Sequence, residues 1–170
     1  MRFKNIAATS LFALGAFLAG AANAVPITGL VNTGAGKTTG QTDTNYALSG
    51  TGTGISGPNG YASAGFTGWP IAPFGGGPWI ANSATSNWIT PNANPAASYD
   101  PNVDGTYIWT LVFDLTGFNA STATFSGRWA TDNSGQIRLN GTTLNNASTG
   151  FTSWSSFSSA GGTFNAGLNT

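Results

Sequence analysis

From Thr106 to Leu115 the chain alternates with the period of an extended strand. Tyr107, Trp109, Leu111, Phe113 and Leu115 fall on one face, which is predicted to be core. The other face carries Thr106, Thr110 and Asp114, with Ile108 and Val112 between them, so partial cover is expected there. A second strand is predicted near Thr122 to Thr131, with Ala123, Phe125, Gly127 and Trp129 on its inner side. After the turn Asp132-Asn133-Ser134-Gly135 comes a third, Gln136 to Leu139, with Ile137 and Leu139 inward. Asn140-Gly141 fits a two-residue hairpin turn, because both residues tolerate positive φ. That turn would return Leu144 opposite Ile137. A further strand is predicted at Phe151 to Phe157. The stretch Thr33 to Pro78 is rich in Gly, Thr and Pro; only Asn45 to Ser49 reads as a strand there, and long loops are expected around it. Apolar residues at helical spacing are missing. Short antiparallel strands in a small chain predict an all-β fold, an antiparallel two-sheet sandwich of jelly-roll type.

The N-terminus has a different pattern. Arg2 and Lys4 precede an apolar stretch from Ile6 to Leu18, and Ala22-Asn23-Ala24 follows with small residues where a signal peptidase reads. The apolar core is short for a membrane span and stops at a cleavage pattern. Residues 1–24 are therefore expected to be a signal peptide handled by the export machinery, and residues 25–170 one exported β domain. After cleavage Lys37, Arg128 and Arg138 stand against Asp43, Asp100, Asp104, Asp114 and Asp132, a net charge of −2. So few cations leave no footprint for nucleic acid.

Missing residue types narrow the chemistry further. The chain has no His, no Cys and no Glu, which excludes histidine triads, cysteine nucleophiles and imidazole or thiolate metal sites. An aspartate pair is the minimum for a glycosidase, but no spacing singles one out, and the chain reads as non-catalytic, with no cofactor. Gly34-Ala35-Gly36-Lys37-Thr38-Thr39 resembles the end of a phosphate loop, yet Val31 stands where its first glycine belongs. Asp100, Asn102 and Asp104, followed by Gly105, match the first half of a calcium loop; the position of the bidentate Glu is Leu111, so a polar turn competes with a structural calcium site. Trp69 and Trp79 flank a Pro-rich loop, where they could stack on sugar rings or plug the end of a sandwich. Trp109, Trp129 and Trp154 read as packing residues. Arg128 and Arg138 lie opposite the core residues of their strands, and one register sets them across from each other; they read either as a ligand site or as two solvated arginines. Asn119, Asn140 and Asn146 each begin an Asn-x-Ser/Thr pattern, which is common in so polar a chain.

The run FDLTGFNASTATFSGRWATDNSGQIRLNGTTL, from Phe113 to Leu144, resembles the N-terminal domain of bacterial PEP-CTERM proteins, exported surface proteins sorted by an exosortase. NTGAG, DTNYALSGT, NSATSNWITPNAN, and GFTSWSSF followed by AGLNT fit the same pattern. The strand order, the LNG hairpin and the closing G-x-N-T are also similar to galactose-binding-like jelly rolls. The resemblance implies an extracellular or cell-surface setting in a Gram-negative bacterium that makes exopolysaccharide, and a carbohydrate-binding style of fold without catalysis. It brings no catalytic residues. Family members continue through further strands to a Pro-Glu-Pro motif, a membrane helix and a basic tail. The resemblance therefore implies a domain incomplete at its C-terminus, with exosortase a partner only if the full gene carries that signal. The expected function is a non-catalytic surface or matrix protein that binds exopolysaccharide; the alternatives are a structural matrix or adhesion protein without a small ligand, and an aspartate glycosidase.

Overall fold

The computed structural model describes residues 25–63, 79–97, 104–145 and 150–170. These residues form an all-β, antiparallel structure with no α-helix among them. Four strands make one curled sheet in the order β3-β2-β1-β4: β1 is Thr42–Gly50, β2 Asn59–Ser63, β3 Trp88–Thr90 and β4 Tyr107–Leu111. The remaining strands form three two-stranded ladders. β5 (Phe113–Asp114) pairs with β10 (Leu168–Asn169), β6 (Ser126–Trp129) with β9 (Ser155–Ser158), and β7 (Ile137–Leu139) with β8 (Thr142–Asn145). The all-β, antiparallel part of the prediction holds, and the curled half-barrel sheet with small ladders is not a clear two-sheet sandwich.

The strongest predicted strand exists, but it serves two sheets. It divides at Val112: β4 runs beside β1, whereas β5 lies between β10 and a bridge from Thr28. Its alternation holds where packing is tight, with Phe113 and Leu115 at 5% and 1% exposure and Ile108 and Val112 at 52% and 47%. Phe113 and Leu115 join Leu139 in the core cluster, against which Phe125, Leu144 and Phe164 pack. Edge-on ring contacts, Phe113–Phe164 at 6.4 Å and Phe125–Phe164 at 5.7 Å, tie the β5 and β6 ladders to this cluster.

The stretch expected to be mostly loop contains β1, the longest described strand, and β2 beside it. β1 bulges between Asp43 and Ala47, where the partner strand advances by only one residue from Gly60 to Asn59. Asp43 is fully buried at the bulge. Its Oδ2 accepts the Gly34 N–H at 2.6 Å, and its Oδ1 accepts the Asn45 N–H at 3.1 Å and Asn45 Nδ2 at 3.0 Å. A buried carboxylate needs such donors to offset lost hydration. The loop that resembles a phosphate loop is thus fastened to the sheet by an acidic side chain.

The Asn140-Gly141 turn forms as predicted, with φ of 48° and 83°. The strand that returns from it is shifted: Asn145, not Leu144, lies opposite Ile137, because the ladder is irregular between Ile137 and Arg138. That displacement leaves Leu144 free to pack against the core cluster. The predicted second strand shortens to β6, preceded by a 3-10 turn at Ala120–Thr122, and the last predicted strand begins only at Ser155.

Candidate ligand-binding face

β6 and β9 pair across the intervening β7–β8 hairpin, in the register Ser126↔Ser158, Gly127↔Phe157, Arg128↔Ser156 and Trp129↔Ser155. Alternation then divides the ladder. Phe157 and Gly127 face Phe125, whose ring lies 5.8 Å from that of Phe157. Ser126, Arg128, Ser156 and Ser158 share the opposite face, and all four are exposed. Trp154, two residues before Ser156, continues that face at its end. The Arg128 guanidinium lies over the Trp154 ring, 4.5 Å from its centroid, where the ring's negative face attracts the cation.

This arrangement brings together one predicted residue, Arg128, and one that was assigned to packing, Trp154. Arg138 is elsewhere. It belongs to the β7–β8 ladder opposite Thr143, and its Nε donates to Gln136 Oε1 at 3.0 Å. The register that would set the two arginines across from each other does not occur, because β6 pairs with β9 instead of β7. Trp79 is a packing residue here: its ring lies 4.7 Å from that of Trp88 and stacks on Phe151 at 5.6 Å. Trp69, Asp100 and Asn102 lie outside the described residues, as does Asn146; Asp104 is described and exposed, just ahead of β4.

The described carboxylates are dispersed over separate parts of the chain. Asp43 is buried in β1. In β5, the side-chain and then the backbone hydrogen bond from Thr116 hold the Asp114 carboxyl below its ordinary range, while partial burial raises that of Asp132 in the turn before β7. No group of three metal-ligating side chains occurs among the described residues. A cleft of about 420 Å³ lies beside the core cluster, but Ala120, Ala123, Thr163, Phe164 and Ala166 line it with no charged group. Of the Asn-x-Ser/Thr positions, Asn140 is locked: its Nδ2 donates to Thr163 O at 2.9 Å and to Asn169 Oδ1 at 2.8 Å. Asn119 caps the 3-10 turn, accepting the Ser121 N–H at 3.1 Å.

Comparison of the chain with protein-family models, curated proteins and solved structures finds no match. No helix among the described residues is long and apolar enough to cross a membrane.

Proposed function

We propose that this is a non-catalytic exported protein of the PEP-CTERM type that works at the cell surface or in the extracellular matrix and binds exopolysaccharide there. The observation that carries the glycan reading is the Arg128–Trp154 pair at the end of a face of exposed serines. An aromatic surface, a guanidinium and hydroxyl groups are the side chains that sugar rings and hydroxyls engage. The export signal and the quoted family motifs support the setting, and the domain is proposed to be a galactose-binding-like jelly roll. Dispersed aspartates favour binding over glycosidase chemistry, which needs two carboxylates flanking one bond.

Retention on exopolysaccharide purified from the producing organism tests this reading. The protein should be retained, and Trp154→Ala should lose most of the retention while keeping its far-ultraviolet circular dichroism. A protein that passes through unretained would sink the proposal.

A second reading, a structural or adhesive matrix protein, is favoured by one observation. β4 ends the four-stranded sheet, and its run Tyr107 to Phe113 holds no charge, proline or glycine, with Ile108 half exposed. Such an edge invites strand pairing between molecules. Ile108→Lys should then reduce self-association in light scattering while changing stability by less than about 0.5 kcal/mol; equal self-association in the variant would remove this reading.

A further inference from the structure

Stacked on Trp154, Arg128 is held by its ring contact without committing its N–H donors to a carboxylate. No ion pair of Arg128 occurs among the described residues, and its strand partner is Ser156. From this geometry we infer that the face selects acidic polysaccharide, the Arg128 guanidinium gripping a uronate carboxylate on a glycan chain. This rests on the glycan reading above and names the ligand class.

A guanidinium is planar and presents paired donors that match the two oxygens of a carboxylate. Held over the indole, it gives up less rotamer freedom on binding than a solvated arginine would. The indole contact lies against the cation's face and uses none of its in-plane donors, so a planar anion is met edge-on. Hydroxyl side chains Ser126 and Ser158 lie along the same face of the ladder, where they suit the hydroxyls of the same sugar chain. Residues 25–170 carry a net charge of −2, so selection of a polyanion has to come from a local cation and not from long-range attraction. One such contact is weak; a polymer that repeats the carboxylate on every residue compensates through rebinding.

The probes are polygalacturonate, dextran sulfate and neutral dextran, used with the full chain in affinity electrophoresis at low and moderate salt. Polygalacturonate is expected to retard the protein about tenfold more strongly than dextran and more strongly than dextran sulfate, a polyanion that offers no carboxylate. Arg128→Gln should abolish that preference, and Arg128→Lys should weaken it while keeping the charge. Lys37→Gln, which removes the same charge from a distant loop, should leave it intact. Equal retardation by polygalacturonate and dextran overturns the acidic selectivity but leaves glycan binding standing. Equal loss in Lys37→Gln and Arg128→Gln also overturns it, by showing that only net charge matters. Retardation strongest with dextran sulfate overturns the carboxylate assignment. No retardation by any of the three, together with none by the native exopolysaccharide, overturns both readings.

Discussion

At the residue scale the C-terminal end of the described chain is fastened by one buried amide with a full set of hydrogen bonds. Asn169 is 1% exposed; its Oδ1 accepts from Asn165 N–H and Asn140 Nδ2, and its Nδ2 donates to Asn165 O and Gly167 O. Asn140 completes the knot by exchanging bonds with Thr170: its N–H donates to Thr170 O at 2.8 Å and its Oδ1 accepts the Thr170 N–H at 2.9 Å. Asn169→Ala removes all four hydrogen bonds of a buried amide whose partners are partly buried or exposed, so it should lower stability by about 1–3 kcal/mol in urea unfolding. A change below about 0.5 kcal/mol would show that water replaces the amide without penalty. Tyr46 illustrates a pH effect. Its hydroxyl donates to Val31 O at 2.7 Å, and burial, reinforced by the nearby Asp43 charge, pushes its pKa from 10.0 up to about 12. The folded state holds this proton more tightly than the unfolded state, so the stabilisation is whole below pH 10 and is lost as pH rises through about 12. Tyr46→Phe should therefore lose about 1 kcal/mol at neutral pH yet have a shallower fall in melting temperature above pH 10 than the wild type. Parallel falls in the two proteins would contradict the assignment.

At the scale of elements, close approach decides which residues are admitted. Gly127 lies opposite Phe157 in the β6–β9 ladder, and a Cβ at Gly127 would sit 2.7 Å from the phenyl ring. Gly127→Ala should thus destabilise by about 1–3 kcal/mol through overpacking, measurable as a lower thermal midpoint; an unchanged midpoint would mean that Phe157 can move aside at no cost. The hairpin at Asn140-Gly141 was legible because its chemistry is local: two residues that tolerate positive φ sit between alternating strands. β1 was legible only in its second half, as Asn45 to Ser49, and its start was hidden for a physical reason. Asp43 and Leu48 are both buried although five residues apart, because the bulge between Asp43 and Ala47 reverses the alternation, and one of the two is a carboxylate. Period-two reading and hydropathy both fail at such a strand. The candidate face divides in the same way. Alternation placed Arg128 opposite the core, but its partner Trp154 lies just before β9, across the whole β7–β8 hairpin. No local pattern predicts that β6 skips its neighbour, which is why Arg138 looked like the natural companion.

At the scale of the whole molecule, the described chain has two apolar centres joined by one strand. Leu48 and Ala62 are buried in the four-stranded sheet, whereas Phe113, Leu115 and Leu139 form the cluster among the small ladders. β4 belongs to the first centre and β5 to the second, with only Val112 between them. Two small centres that share a backbone can still unfold together, since neither buries enough apolar surface to outweigh its own chain entropy. Their side chains should nevertheless act independently, because Leu48 is not among the residues that pack against the Leu115 cluster. Leu48→Val and Leu115→Val each remove one buried methylene and should each cost about 1 kcal/mol. The double variant should equal their sum to within about 0.5 kcal/mol in urea unfolding, with one transition seen by both tryptophan fluorescence and circular dichroism. A coupling energy well above that would mean that the two centres pack as one core. Two separate transitions would mean instead that the strand through Val112 links independently folding parts. In a single cooperative unit, a lesion in the Phe113–Leu115 cluster must also lower the stability of the sheet that contains β4. The outcome therefore decides whether damage at one centre reaches the other through shared packing or only through the common folding equilibrium.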